Sequence, residues 1–390
     1  MKTHHFSLCV AALFFACNAN MSAQGNMRGL GAEQENTQSL AERVLNLEKK
    51  SDAVNVYLNT HVSYQERFDG EDQGGSFVGR QLRFEMLGNL NDRWSYRLRY
   101  RLNRPGEQQD DNFSNNIDVM AVNFKVTPRF TVSAGKLGAA LGGYQYDDNP
   151  IQVLEFCDWL TGIDGFHMGV HAGYEVAKGN TVMLGLYNTN NNRTKRYYAE
   201  DPALQDARHP FAASLYWTGR LFGGKVQTLW SYTLMQEVKG KYGNLVMLGT
   251  KVCLPKWNFI VDYYGAWEQI DHHKIVSADM TAALGKATVA RGTCYNTVRF
   301  EVNHQPTPHW NCLVEGRVES AHARHVSAFR HYRTTYGYTA AVQWIPDLTQ
   351  DARISLAYIG KTTDYNNSCG LADVSRNRLE LSLIYRIKAY

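Results

Sequence analysis

From Val54 to the end of the chain, apolar side chains recur at every second position. The stretch WSYRLRYRLN at positions 94–103 shows the pattern, because its aromatic and leucine side chains alternate with Ser, Arg and Asn. A period of two is that of a β-strand with one apolar and one polar face. No apolar run in the chain approaches the length of about 20 residues that a membrane-spanning helix needs. The sequence therefore predicts an all-β protein and excludes a helical membrane bundle.

Composition supports many strands joined by turns. Charged residues make up 20% and aromatic residues 12% of the chain, which excludes a disordered protein. The 23 Tyr and 32 Gly residues outnumber the 9 Pro residues, a balance that favours strands over Pro-rich structure.

Sixteen alternating segments can be counted, and their connections fall into two classes. Tight turns are predicted at Asn91, Thr127, Ala177, Gly219, Pro255, Gln305 and Pro346. Long polar connections are predicted to begin near Glu66, Asn103, Leu137, Asn188, Gln236, Glu268, Ser320 and Lys361. The two classes alternate strictly, which places both termini on the short-turn side. This is the topology of a transmembrane antiparallel β-barrel of about 16 strands, with periplasmic turns and extracellular loops.

A soluble sandwich or barrel is the alternative, because any half-buried strand alternates in this way. The many long charged side chains on the polar faces oppose it, since a small packed core could not bury them unpaired. Aromatic residues also stand beside the turns, where a girdle at the lipid interface is expected: Trp94, Tyr174, Trp217, Trp257, Trp310 and Trp344.

The segment before the barrel divides into two parts. Residues 1–23 have a Lys, an apolar core and small residues up to Ala23, a pattern typical of a cleaved secretory signal. Residues 24–53 contain Leu40, Val44 and Leu47 at helical spacing, which predicts a short periplasmic helix. This helix is either a solvated linker or a short coiled coil for oligomerisation. The barrel domain is assigned to residues 54–390.

Five cysteines remain after removal of the signal, and they form no recognisable framework. An odd number without a CxxC arrangement predicts neither a set of disulfides nor a zinc site. We expect most of them to be ordinary packing residues: Cys157, Cys253, Cys294, Cys312 and Cys369.

Strand 94–103 predicts the charge of the lumen. Arg97, Arg99 and Arg101 lie at period two and so project into the barrel as a column, with Arg83 on the neighbouring strand pointing the same way. The opposite orientation would place these charges in lipid, at roughly 2 to 4 kcal/mol each near the midplane. Guanidinium groups bind two oxygens of an oxyanion at once, so the column predicts a track for anions.

The remaining wall of the lumen is predicted to be mixed in sign. Arg299, Arg317 and Arg333 are predicted to line the pore and to bind anions with the other basic residues, but they share the inward parity with Glu85, Glu301, Glu315 and Glu319. Without Lys2, 40 basic residues stand against 37 acidic ones, so any anion preference comes from a local stripe and not from the whole protein.

Two stretches resemble a known family. FVGRQLRFEMLGNLNDRWSYRLRYRL is similar to the opening hairpin of the phosphate-selective porin O/P family. VMAVNFKVTPRFTVSAGKL, followed after a long insertion by GLYNTN, resembles the next segments of the family. The resemblance implies a trimeric outer-membrane porin whose third extracellular loop, here residues 137–166, folds inward to constrict the pore. It also implies basic pore-lining residues, matched by Arg83, Arg97, Arg99, Arg101 and, at the loop entrance, Lys136. The loop itself is acidic, with Asp147, Asp148, Glu155, Asp158 and Asp164.

The predicted function is passive diffusion of small anions, phosphate among them, through a water-filled pore in the outer membrane. A general, weakly selective porin is the nearest alternative, followed by a surface-binding protein with long loops. An enzyme would need chemistry from loop histidines, His272, His273, His322, His325 and His331, yet no nucleophile or zinc motif accompanies them. The acidic residues 147–158 do not fit the spacing of a calcium loop. We therefore expect no catalysis, no cofactor, no bound metal and no nucleic-acid partner.

Overall fold

A computed structural model describes residues 52–68, 74–109, 111–189, 201 and 203–390. Its main feature is a closed barrel of sixteen antiparallel strands in which each strand pairs with its neighbours in sequence and β1 pairs with β16. The predicted signal and the predicted periplasmic helix lie outside the described residues. The strands are β1 (Asn55–Arg67), β2 (Gly74–Asn89), β3 (Trp94–Arg101), β4 (Ile117–Thr127), β5 (Phe130–Gly138), β6 (Phe166–Ala177), β7 (Asn180–Asn188), β8 (Asp206–Leu221), β9 (Val226–Val238), β10 (Gly243–Cys253), β11 (Trp257–Ile270), β12 (Arg291–Thr307), β13 (Trp310–Ala323), β14 (Arg333–Trp344), β15 (Asp351–Tyr365) and β16 (Val374–Lys388).

The helices of the described part are short and lie in the connections. They are α1 (Tyr144–Asp147), α2 (Asp158–Gly162) and α3 (Ile275–Leu284), with 3₁₀ turns at Phe222–Gly224, Ser327–Phe329 and Asn367–Cys369. Within the described ranges, no helix combines the length and the apolar character required to cross a membrane.

The barrel is apolar outside and polar inside, the reverse of a soluble protein. Along β14 exposure alternates without interruption: Tyr336 and Val342 are exposed, whereas Thr335 and Gln343 are buried. The girdle residues Trp310 and Trp344 lie directly opposite each other at the turn end of β13 and β14, and both are exposed. Strands with this pattern present their apolar faces to lipid, so the predicted strand faces are confirmed.

The seven predicted tight turns are confirmed, and the start of β1 and the C-terminal residue Tyr390 lie on the same side of the barrel as these turns. The Val56 N–H donates to the Tyr390 carbonyl at 2.9 Å, and the Ala389 N–H donates to the Val56 carbonyl at 2.8 Å. One connection on the opposite side differs from the prediction. The long loop expected from Gln236 is a four-residue turn, because β9 continues to Val238 and β10 begins at Gly243.

Part of the lumen is filled by loops, which corrects the expectation of solvated interior residues. Residues 139–165, here called loop 139–165, and the segment containing α3 fold into the barrel and bury an apolar cluster against β9–β12. Among its members are Leu137, Trp159, Met247, Tyr264, Val276 and Tyr295. Interior charges such as Arg83, Glu85 and Arg299 are buried, and they pair with Asp118, Arg97 and Asp262 respectively.

The five cysteines of the described barrel are all free thiols. Cys157 and Cys369 belong to the apolar cluster within the lumen, consistent with the predicted packing role.

Candidate functional site

A cavity of about 440 Å³ lies in the lumen between β2–β8 and loop 139–165. Loop 139–165 is held on the far side of this cavity by its entry segment. The Gly142 N–H donates to Ser231 Oγ at 2.8 Å, and the Gly143 N–H donates to the Leu229 carbonyl at 2.9 Å. Gly143 has a φ of 87°, and its backbone lies against the Tyr264 ring, so a side chain there would meet that ring. The loop therefore leaves the passage on the β2–β8 side.

The predicted arginine column lines this cavity. Here the arginine column means the side chains of Arg83, Arg97, Arg99 and Arg101, and all four border the cavity together with Lys136 of β5. Arg99 and Arg83 lie opposite Glu85 and Arg101 across the β2–β3 ladder. The structure thus brings together the five residues that sequence reasoning placed on this wall.

Asp118 joins three members of the column, and sequence reasoning did not find it. Its carboxylate lies 3.5 Å from Arg83 Nε, 3.3 Å from Arg99 Nε and 2.8 Å from Arg101 Nη2. Strict alternation with the outward-facing Met120 would turn Asp118 to lipid. A β-bulge in β4 opposite Arg99 shifts the register, and the shift turns the Asp118 side chain into the lumen. The carboxylate within the apolar run IDVMAV was the available signal.

Other acidic groups neutralise the column only in part. Arg97 Nη2 lies 2.7 Å from Glu85, and Lys136 Nζ lies 3.0 Å from Asp111 and 2.6 Å from Gln109 Oε1. On this side of the cavity three carboxylates, those of Glu85, Asp111 and Asp118, stand against six basic groups that line it: Arg83, Arg97, Arg99, Arg101, Arg104 and Lys136. Arg83 is only 3% exposed, and its Nη1 has no hydrogen-bond partner among the described residues. The wall retains both positive charge and hydrogen-bond donors.

Arg299, Arg317 and Arg333 occupy the opposite wall and do not border the main cavity. Arg299 contacts Asp262 at 2.9 Å and Glu315 at 2.8 Å, and also pairs with Glu301.

Arg317 pairs with Glu315 at 2.9 Å and with Glu319 at 3.2 Å. Arg333 pairs with Asp158 at 2.5 Å and with Asp279 at 3.2 Å. These three cations thus hold the barrel interior together, while the arginine column faces open space.

The same wall binds loop 139–165 through its acidic residues. Asp158 pairs with Arg333 and, at 2.7 Å, with Lys361, and Glu155 pairs with Arg378 at 2.8 Å. Burial opposes the ionisation of Asp158, but the Lys361 and Arg333 cations outweigh it and hold its pKa below the usual value. Two of the five acidic residues predicted in this loop, Glu155 and Asp158, therefore anchor it to the barrel wall.

Three aspartates of loop 139–165 do border the cavity, namely Asp147, Asp148 and Asp164. Burial raises the pKa of Asp148 to about 6, against the opposing effect of Arg299 and Lys251. The charge that this residue presents to the cavity consequently depends on pH near neutrality.

Two of the five loop histidines, His272 and His273, are hydrogen-bonded to carboxylates. His273 Nδ1 lies 2.7 Å from Glu268, and His272 Nδ1 lies 3.0 Å from Glu237. Burial alone would lower the pKa of His272, but Glu237 and Glu268 raise it to about 9. Across the described ranges, no three His, Cys, Asp or Glu side chains are grouped so as to hold a metal ion.

Comparison with known proteins identifies the family. The sequence model of the phosphate-selective porin O and P family matches residues 54–387, most of the chain. The chain belongs to this family. It is thus an outer-membrane porin, a barrel through which solutes diffuse passively, and the fold predicted from its sequence is confirmed. No curated protein matches the porin.

Solved structures support the fold of this porin. The outer-membrane channel DcaP of Acinetobacter baumannii aligns with a TM-score of 0.59 at 10% identity, over 87% of this chain and 98% of DcaP. The trimer form of OmpT from Vibrio cholerae aligns at 0.56 with 13% identity, over 86% of this chain and 99% of OmpT. Salmonella typhi OmpF, in complex with daunomycin, aligns with a TM-score of 0.56 at 8% identity, over 87% of this chain and 99% of OmpF. At these identities the likeness concerns the barrel alone.

Proposed function

We propose that this porin is an anion-preferring diffusion channel in which the arginine column sets the charge preference. The observation that carries the proposal is the concentration of six basic groups on one wall of the 440 Å³ cavity, where three carboxylates neutralise them only in part. Fixed positive charge beside a narrow aqueous passage raises the local concentration of anions and lowers that of cations.

Phosphate is among the proposed solutes. Guanidinium groups bind oxyanions in a bidentate manner, and Arg83, Arg99 and Arg101 are close enough together to share one carboxylate, that of Asp118. A tetrahedral oxyanion could replace part of that contact during transit. The family name points to the same solute.

A general porin of weak selectivity is the second candidate, and one observation favours it. Asp147, Asp148 and Asp164 face the cavity from loop 139–165. Their negative charge reduces the net field of the arginine column and admits cations to the same passage.

Reversal potentials across planar bilayers distinguish these candidates. We expect a KCl gradient to give an anion-selective potential that falls towards zero in the triple variant Arg97→Ala, Arg99→Ala, Arg101→Ala. Arg129→Ala serves as the control, because Arg129 is exposed in the β4–β5 turn outside the lumen. Replacement of chloride by phosphate on one side then gives the relative permeability of phosphate. A cation-selective wild type whose potential is unchanged in the triple variant would refute the proposal.

We further propose that three copies assemble in the membrane. The trimer form of OmpT shares this barrel architecture, and the family resemblance implies the same state. Chemical cross-linking of the porin in outer-membrane vesicles should trap a species of three chains.

A further inference from the structure

Across the cavity from the arginine column, apolar side chains lie beside the three aspartates of loop 139–165. Ile163 and Phe166 lie at the end of loop 139–165 and the start of β6, and both are partly exposed to the cavity. Leu141, Met183 and Tyr216 extend the same surface behind them. One side of the cavity therefore offers guanidinium groups, and the other offers an apolar surface next to three carboxylates.

The two walls meet at Arg99. Its guanidinium carbon lies 5.2 Å from the centre of the Phe166 ring, within the distance of a cation–π contact. A solute beside the guanidinium of Arg99 is therefore close to the Phe166 ring, and Ile163 borders the same cavity. Charge and apolar surface thus lie within the span of one small organic molecule.

A hydrated inorganic anion gains nothing from such a wall, because it gives up water without receiving a hydrogen bond in return. An anion with an apolar body gains from both sides, since its charged group meets Arg and its hydrocarbon leaves water. A cavity of about 440 Å³ is also within the range that holds small organic ligands.

We propose that the cavity is a transit site for small organic anions in which a carboxylate is attached to an apolar ring. This inference rests on the proposed anion-preferring channel and names the class of solute that its constriction favours. The carboxylate meets Arg83 and Arg99, and the ring lies against Ile163 and Phe166.

Interruption of the chloride current by added solute tests the proposal in planar bilayers. Benzoate is the probe, and acetate and phosphate are the matched anions without a ring. In the wild type, benzoate should interrupt the current at a concentration roughly fivefold lower than acetate does, as expected for burial of about half a phenyl ring. The same recording gives the reversal potential in a KCl gradient.

Two variants assign the effect to the apolar wall. Ile163→Thr keeps the branched shape but adds a hydroxyl to the cavity surface, and Phe166→Leu removes the ring beside Arg99. Each should reduce the ratio between the acetate and benzoate concentrations towards one. Ile151→Thr is the control, because Ile151 belongs to the same loop but packs near Ile384 and Ala357, away from the cavity. Ile151→Thr should leave the ratio at the wild-type value. A chloride current that acetate still blocks verifies that each variant is folded.

The outcomes separate this inference from the proposed function. An anion-selective pore in which benzoate and acetate block equally overturns the inference and leaves the anion channel standing. A benzoate preference that Ile163→Thr and Phe166→Leu leave intact also overturns it, because the ring then binds elsewhere. A cation-selective pore overturns both.

Discussion

Arg83 and Arg101 face each other directly across the β2–β3 ladder, and the Asp118 carboxylate contacts both. Two like charges in opposite positions of a ladder destabilise the pair unless a counter-charge lies between them. The porin thus keeps a dense column of guanidinium groups at the pore by including one carboxylate on the neighbouring strand.

Removal of this carboxylate should increase anion selectivity. In Asp118→Asn the column loses one negative charge within 4 Å, which corresponds to a change of roughly twofold to fivefold in the anion-to-cation permeability ratio. Asp351→Asn is the matched control, because Asp351 pairs with Arg353 at the start of β15 and does not border the main cavity. Reversal potentials in a KCl gradient provide the measurement, and a ratio that stays constant in Asp118→Asn contradicts the assigned role.

Loss of Arg299 should lower the stability of the barrel more than it changes the anion selectivity of the pore. Its guanidinium is 2% exposed and contacts Asp262, Glu301 and Glu315. Arg299→Gln leaves buried carboxylates without their cation, which costs about 3 to 5 kcal/mol in comparable pairs. Unfolding monitored by the heat-dependent shift in gel mobility should occur at a lower temperature than for the wild type. The exposed Arg129→Gln should unfold at the wild-type temperature.

Asp158 should control how firmly loop 139–165 is held. Asp158→Asn weakens the contacts to Arg333 and Lys361, and we expect a larger and noisier single-channel current together with a loss of about 1 to 3 kcal/mol of stability. Because the pKa of Asp158 is held below its usual value, its ionised form stabilises the folded state above the unfolded pKa. The stabilisation disappears only as pH falls through the lower, folded value. A quiet current of wild-type size in Asp158→Asn would show that the loop is held by other contacts.

Anion selectivity should increase as the pH is lowered from 7 to 5. Burial raises the pKa of Asp148 to about 6, so acidification over this range removes one negative charge beside the cavity. Asp148 changes the stability of the folded state with pH in the opposite direction to Asp158. A carboxyl whose pKa is raised in the folded state favours that state as pH falls through the raised value. Reversal potentials measured at both pH values test this, with Asp148→Asn as the comparison. His171 also borders the cavity, so a pH response that persists in Asp148→Asn would assign the effect to another group.

The barrel was predictable because lipid outside and charge inside impose a strict period of two on every strand. The same reasoning located Arg83, Arg97, Arg99 and Arg101, since each alternates along its strand with aromatic or aliphatic residues that form the lipid-facing side. It failed at Asp118, because a bulge breaks the alternation and a single strand does not reveal its partner's register. The turn after Val238 was also missed, because polar residues continue to pair as strands beyond the apolar band.

The contents of the lumen could not be predicted in this way. Loop 139–165 is held by contacts to residues that are remote in sequence, such as Tyr144 N–H to Asp262 at 2.7 Å and Asn149 to Asn59 at 3.0 Å. Periodicity describes each strand alone and carries no information on such contacts. Inward parity therefore grouped Arg299, Arg317 and Arg333 with the arginine column, although their carboxylate partners place them in the opposite wall.

The ladder between β1 and β16 also bears on how the porin is made. Thr60 lies opposite Tyr385, roughly 300 positions away along the chain. Contacts so distant in sequence carry the greatest entropic cost of closure, so they form last and slowly. Until the final strand arrives, the first strand exposes a row of unpaired amides that other chains can capture. A truncated product lacking the last strand would keep this edge permanently open and would be prone to aggregation.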